Sequence, residues 1–365
     1  MAELGYDLRV VARAEERPNL IGEVGAGDRS LILNGHLDTK PPGDETQWQS
    51  PPYDPVVEDG RLLGLGSTDM KGAVAAMIYS GFALAEAGEL RGVLRVVLTA
   101  DEEAGSSFGA RFVAGAHVAA DAALVGEPTG LTEPWQYIAV ASRGISCFRL
   151  RVRGTQMHSS LSDRLPSLNA SVELARMLVR FADEFPRPDG STVNLGVTLS
   201  GGVFYGVYPG ESECGVDVRT VPGMTLERLQ ADVEAFLDRL RHENPRLDVA
   251  AEWVPELAWF PPSEINGTHP LLPAAESACA DVLGRPVPCG VMPAFTDGTH
   301  WSEAGVPAIP ALGPGLLSLA HRPNEYVGVD EIVQAARIYA LTALRYLAAP
   351  ERDAERSSAS SASNG

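Results

Sequence analysis

Short, unbroken apolar runs alternate with longer helix-patterned stretches along the first third of the chain. They are "SLILNG" at 30–35, the alanine-rich "KGAVAAMIYSGFALAEAG" at 71–88, "GVLRVVLTA" at 92–100, "FVAGAHVA" at 112–119 and "AALVGEP" at 122–128. Apolar runs without polar alternation suit strands covered on both faces, and strand–helix–strand order supplies the crossovers that a parallel sheet requires. Residues 1–136 are therefore expected to begin an α/β domain with a mainly parallel central sheet. From about Tyr137 the texture changes to alternating strands in "YIAVASRGISCFRLRVRG", a helix-like stretch at 167–185, strands in "TVNLGVTLSGG" and "ESECGVDVRTVPG", and a second helix-like stretch at 225–243. That ββαββα order predicts an α+β domain with an antiparallel sheet, inserted at 137–253. Signals like those of the first part resume over 254–350, and the small, polar "ERDAERSSASSASNG" at 351–365 reads as a disordered tail.

Composition narrows the partners. The 365 residues suffice for one large domain or two, and 29 Lys and Arg against 48 Asp and Glu give a net charge of −19, which argues against nucleic acid or an anionic membrane as partner. Cys147, Cys214, Cys279 and Cys289 are scattered without a CxxC pair, so neither a thiolate metal site nor a disulfide framework is indicated. The start lacks the apolar stretch of a signal peptide, and no window approaches the roughly 18 apolar residues of a membrane span. A soluble cytoplasmic protein is expected.

In open parallel sheets ligands bind beyond the carboxyl ends of the strands, so the residues after each apolar run are the place to look for chemistry. "LNGHLDTK" ends the first run with His36 and Asp38, which share one side of an extended segment. A metal-binding imidazole usually gives its other ring N–H to an orienting group, a role open to Asp38, although for this spacing alone a metal-free His–Asp hydrogen bond is the commoner arrangement. "GLGSTDMKG" presents Asp69 before a helix, where a helix N-cap is the usual role. "TADEEAG" delivers Asp101, Glu102 and Glu103 at a strand end; carboxylates packed this closely need a cation, a raised pKa or solvent to relieve them. Glu127 ends "AALVGEP", and His321 follows a later strand in "PALGPGLLSLAHRPNEYV". Together His36, Asp69, Glu103, Glu127 and His321 offer two imidazoles and three carboxylates. If Asp69 bridges, each of two metals receives one His, one private carboxylate and a share of Asp69. Such an N and O set without sulfur suits two Zn²⁺, with Co²⁺ or Mn²⁺ possible, leaving Glu102 to take a proton from water.

"GHLD" at 35–38, "GSTDMKG" at 66–72, "DEEAG" at 101–105, "GEPT" at 126–129 and "AHRPNEY" at 320–326 resemble, in order and spacing, motifs of the metallopeptidase M20 family, from about Asn19 to Leu347. The resemblance implies a binuclear zinc catalytic domain carrying an inserted lid that commonly also mediates dimerisation. It implies that Asp69 bridges, that His36 and Glu127 bind one metal, that Glu103 and His321 bind the other, and that Glu102 is the general base. "GTQMHSS" resembles the segment whose histidine, here His158, reaches the partner subunit's site and steadies the oxyanion. "GVDVRTVPG" resembles a strand whose arginine, here Arg219, binds the substrate carboxylate. "AFTDGTHW" resembles a loop near the metals, making Thr296 and Asp297 candidates for substrate binding. Two features depart from the pattern: Gly206 stands where several relatives place a lid asparagine, and relatives have several tens of residues, including a helix, before the region equivalent to "YDLRVV".

The resulting expectation is a homodimeric, metal-dependent amidohydrolase of the deacetylase and desuccinylase kind, cleaving a small N-acyl amino acid. A dipeptidase or carboxypeptidase-like exopeptidase acting on short peptides is the alternative within enzymes. A non-catalytic small-molecule-binding relative is the alternative outside them, against which the complete set of ligands plus Glu102 counts.

Overall fold

A computed structural model describes residues 1–188 and 190–348, so the tail expected at 351–365 lies outside the described residues. The unbroken apolar runs form the middle of a six-stranded sheet, ordered Asp7–Ala12, Pro18–Ala26, Gly92–Thr99, Ser30–His36, Ala122–Val125 and Ala308–Ile309. Ser30–His36 runs parallel to both neighbours, with Leu33 opposite Val96 and Leu124, and every one of its residues is buried. Ala308–Ile309 continues the parallel set, while the first two strands form an antiparallel edge.

Side chains leave a strand alternately to its two faces, and both faces are covered. Leu31 and Leu33 join one hydrophobic cluster with the helices Gly72–Ala87, Leu271–Leu283 and Val329–Ala348; Ile32 joins another with Val97, Val113 and Trp301. Each such fully buried aliphatic side chain contributes roughly 1.5–3 kcal/mol, and the polar side chain buried within the strand, Asn34, is satisfied by donating to the Val97 carbonyl at 3.0 Å and accepting the Trp301 indole N–H at 2.9 Å. Met1, Leu4 and Tyr6 also pack against the first cluster, and the Tyr6 hydroxyl donates to the Ile78 carbonyl at 2.6 Å.

Residues 144–253 build a second, four-stranded antiparallel sheet, ordered Thr192–Gly201, Glu211–Thr220, Gly144–Arg153 and Asp248–Trp253. Its helices, Ala170–Glu184 and Leu226–Glu243, start where the Asn169 and Thr225 side chains accept the Val172 and Arg228 N–H groups. Apolar residues at helical spacing, Leu174, Met177 and Phe181 on one and Leu229, Val233, Phe236 and Leu240 on the other, close a separate core with Phe148, Leu150 and Val216. The observed order is βαββαβ. Ile138–Ser142, grouped with this unit in the ββαββα reading, pairs instead with Ser263–Glu264 and Cys289–Met292. Alternation alone does not say which sheet a strand joins; here the chain changes sheets at Arg143, whose N–H donates to the Met292 carbonyl at 3.0 Å.

The two units meet where the chain passes between them. Ile145 and Phe260 exchange backbone hydrogen bonds of 3.0 and 2.9 Å, fixing the outgoing segment against the returning one beside the carboxyl ends of the parallel strands.

Candidate active site

Three adjacent parallel strands end together, and the residues beyond them form the site. His36 ends its strand, Glu127 lies two residues after Ala122–Val125, and Glu102 and Glu103 open the turn Glu102–Ala104 that follows Gly92–Thr99. Asp69 comes from the turn Ser67–Lys71, and His321 from a loop where its φ of 60° holds it in the left-handed region. The two oxygens of Asp69 face different imidazoles: Oδ1 is 3.1 Å from His36 Nε2 and Oδ2 is 3.2 Å from His321 Nε2. His36 Nε2 is also 3.5 Å from Glu127 Oε1, and His321 Nε2 is 3.0 Å from Glu103 Oε1. Two triads sharing Asp69 result, His36–Asp69–Glu127 and Asp69–Glu103–His321, each with its donor atoms within 4.8 Å of one another. A tetrahedral ion with bonds near 2.05 Å separates its ligands by about 3.3 Å, so the donor spacing fits a divalent cation in each triad.

The charges of the cluster are consistent with such a centre. Burial pushes the Glu127 carboxyl up to about 7, the negative Asp69 adding to it against His36. Burial also raises Glu102 well above the carboxylate range, with Glu127, Asp297 and Asp69 adding to it and His36 opposing. Burial opposes ionisation of Asp69 and His36 as well, yet their mutual hydrogen bond and those to His321, Asp38 and Glu127 hold Asp69 low and His36 high. His321 is raised to about 10 by hydrogen bonds to Asp69 and Glu103. A cluster that draws protons onto both imidazoles is one where a divalent cation can take their place.

Buried carboxylates and one lysine hold the ligands in position. Asp38 accepts the Glu102 and Glu103 N–H groups at 3.1 Å each, while His36 Nδ1 donates to the Asp38 carbonyl oxygen at 3.0 Å, closer than to its carboxylate at 3.5 Å. Asp38 therefore orients His36 mainly through its main chain and uses its carboxylate to fix the turn that carries Glu102. Glu325, fully buried and unremarked in the sequence beyond its place in "AHRPNEY", accepts the N–H groups of Gly66, Thr68 and Asp69 at 2.9–3.0 Å. Lys40 contacts the Glu103 carbonyl and lies 3.3 Å from its carboxylate. The signal for Glu325 was a carboxylate in a motif already rich in function; its three donors become neighbours only in the fold.

A cavity of about 470 Å³ opens over these groups, lined by Asp69, Glu102, Glu103, Glu127 and His321 together with Arg219 and Lys40. Arg219 thus faces the same space as Glu102, with its Nε and Nη2 committed to Asp217 at 2.9 and 3.0 Å. Thr296 and Asp297 do not reach it. Both are buried: the Thr296 hydroxyl accepts the Gly298 N–H, and Asp297 accepts the Thr99 and Ser106 hydroxyls at 2.9 and 2.5 Å. Asp297 ties the strand end to the segment that follows the Glu102 turn, while Thr296 braces its own loop; Ala294 and Phe295 are the residues of that loop which face the cavity. His158 lies outside the cavity, exposed on the short strand Met157–His158, with Nδ1 accepting the Ser160 N–H at 3.3 Å. Gly206 sits near it, its carbonyl accepting the Ser159 N–H at 2.9 Å.

Residues 32–345 match the sequence model of peptidase family M20/M25/M40. The chain belongs to this family. Among curated relatives, it is 32% identical over 349 residues to the succinyl-diaminopimelate desuccinylase of Alkalilimnicola ehrlichii, covering 92% of this chain and 88% of the relative. It is 29% identical to the acetylornithine deacetylase of Vibrio parahaemolyticus, covering 94% and 88%. Among solved structures it resembles the M20 metallo-carboxypeptidase Sso-CP2 of Sulfolobus solfataricus, with a TM-score of 0.74 at 18% identity, covering 94% of this chain and 91% of that one. This member of the family is a metal-dependent hydrolase of carbon–nitrogen bonds in amides or peptides. Among the described residues, no helix is long and apolar enough to cross a membrane.

Proposed function

We propose that the chain hydrolyses the amide bond of a small N-acyl amino acid, using two divalent cations, zinc foremost, and Glu102 as general base. The observation that carries this reading is the pair of triads sharing Asp69, with Glu102 beside them in one cavity. Two cations held there supply carbonyl polarisation and an acidified water. The chain's own residues do the rest. Glu102, whose carboxyl has a raised proton affinity, takes the proton of the attacking water and returns it to the departing nitrogen. Asp38 keeps the Glu102 turn and the His36 ring in place, and Arg219 receives the substrate carboxylate on the edge that Asp217 leaves open.

Residues 144–253 act in this reading as an inserted lid that also pairs two copies. The Thr192–Gly201 strand lies at the edge of its sheet with Val197 and Leu199 exposed, and the nearby helix Ala170–Glu184 exposes Val172 and Val179. An open, apolar edge accepts the same strand of a second copy in antiparallel register. His158 would then steady the oxyanion in the partner's site. A cytoplasmic setting belongs to the same reading and is in keeping with four free cysteines.

The test is a Glu102→Ala variant. Loss of a general base should lower kcat roughly 10²–10⁴-fold while bound metal stays unchanged. Turnover near the wild-type rate would remove Glu102 from this role.

A further inference from the structure

The cavity's lining combines charged and apolar residues, with Arg219 directly opposite Ile145 on neighbouring strands. The charged part consists of the carboxylates, His321, Lys40 and Arg219, and the apolar part of Ile145, Leu257, Phe260, Met292, Phe295 and Leu317. Among the described residues, no serine, threonine, asparagine or glutamine side chain lines it. The apolar wall is built by the chain crossing between the two units: Ile145 and Phe260 are bridged through their backbones, and Phe260 packs against Phe295 with ring centroids 5.0 Å apart. Met292 is held from behind by the Tyr137 hydroxyl, 3.6 Å from its sulfur.

Each of the two cationic side chains in the lining has a carboxylate beside it. Lys40 lies against Glu103, and Asp217 takes two nitrogens of Arg219, leaving one edge of the guanidinium for one substrate carboxylate. A second carboxylate, or a charged amine at the far end of a substrate, would face apolar side chains and lose its hydration without a partner.

Resting on the proposed hydrolysis of an N-acyl amino acid, we infer that this cavity selects substrates with a single carboxylate and an apolar group flanking the scissile amide. N-acetyl-methionine or N-acetyl-leucine represents this class; N-succinyl-diaminopimelate, with several charged ends, represents the opposite one. Phe260, Phe295 and Leu257 are the specificity-determining residues.

The experiment compares N-acetyl-L-methionine with N-succinyl-LL-diaminopimelate on the zinc-loaded protein, by kcat/KM and, with Glu102→Ala protein, by calorimetric Kd. The expected preference for the apolar compound is at least about tenfold in both, the scale on which apolar pockets discriminate. Phe295→Lys and Leu257→Lys should each narrow or reverse it; Leu257 is 38% exposed, so its replacement leaves the packing of the unit intact. Binding that favours the apolar compound without turnover of either would sustain this inference and count against the hydrolysis. Equal or tighter binding of the succinyl compound, or no binding of either, would overturn it.

Discussion

Glu127 lies between an anion and an imidazole, and its protonation links the site to stability. Its folded-state pKa of about 7 is above its ordinary 4.5, so folding favours its protonated form. That contribution is complete below the ordinary value and is lost as pH rises through 7; His321, raised from 6.5 to about 10, loses its contribution over the higher window. Metal-free protein should therefore lose stability between about pH 5 and 8, and Glu127→Gln should flatten the lower part of that fall. Added zinc should reverse the trend, because it binds the deprotonated ligands and its stabilisation grows with pH. Denaturant midpoints across this range check it, and parallel curves for the wild type and Glu127→Gln would contradict it. His36 and Glu127 stood out in the sequence because each follows an unbroken apolar run, and the fold brings them together at adjacent strand ends, although each alone had a commoner metal-free reading. Asp297 and Glu325 were not readable in their actual roles: each serves donors distant in sequence, and nothing local tells a buried clamp from a residue that meets substrate.

At the scale of elements, the short strand Gly313–Leu316 lies parallel to Pro128–Gly130, directly behind Glu127. A Cβ on Gly313 would stand 2.0 Å from the Gly126 carbonyl oxygen and 2.7 Å from that of Glu127, both backbone atoms with little freedom to move. Gly313→Ala is expected to cost roughly 1–3 kcal/mol, the range for overpacking, and to weaken zinc binding, since the displaced backbone carries a ligand. Unfolding and zinc titration measure both; if neither changes, the backbone of Glu127 is less constrained than its packing implies. The parallel strands were legible as unbroken apolar runs and the amphipathic helices by their period, because both signals are local. The allegiance of Ile138–Ser142 was not, because an alternating strand looks the same whichever sheet it joins.

At the scale of the whole molecule, the cavity exists because two separately cored units are joined at Ile145 and Phe260. The pairing of copies belongs here too. If the Thr192–Gly201 edge joins two chains, replacing both Val197 and Leu199 with lysine should convert the dimer to monomer in sedimentation, through like charges meeting across the two-fold axis. An unchanged mass would place any dimer contact elsewhere. The chain's charge argued against nucleic acid as a partner, whereas the shape of the apolar wall depends on which segments cross between the units and could not be read from any one of them. The central claim is a site for two divalent cations that drives amide hydrolysis, and its most direct measurement is zinc bound per chain, titrated alongside hydrolysis of N-acetyl-L-methionine and N-succinyl-LL-diaminopimelate. Two equivalents, with turnover lost on chelation and regained on restoring zinc, are predicted; fewer bound ions at saturation, or turnover indifferent to chelation, would contradict the account.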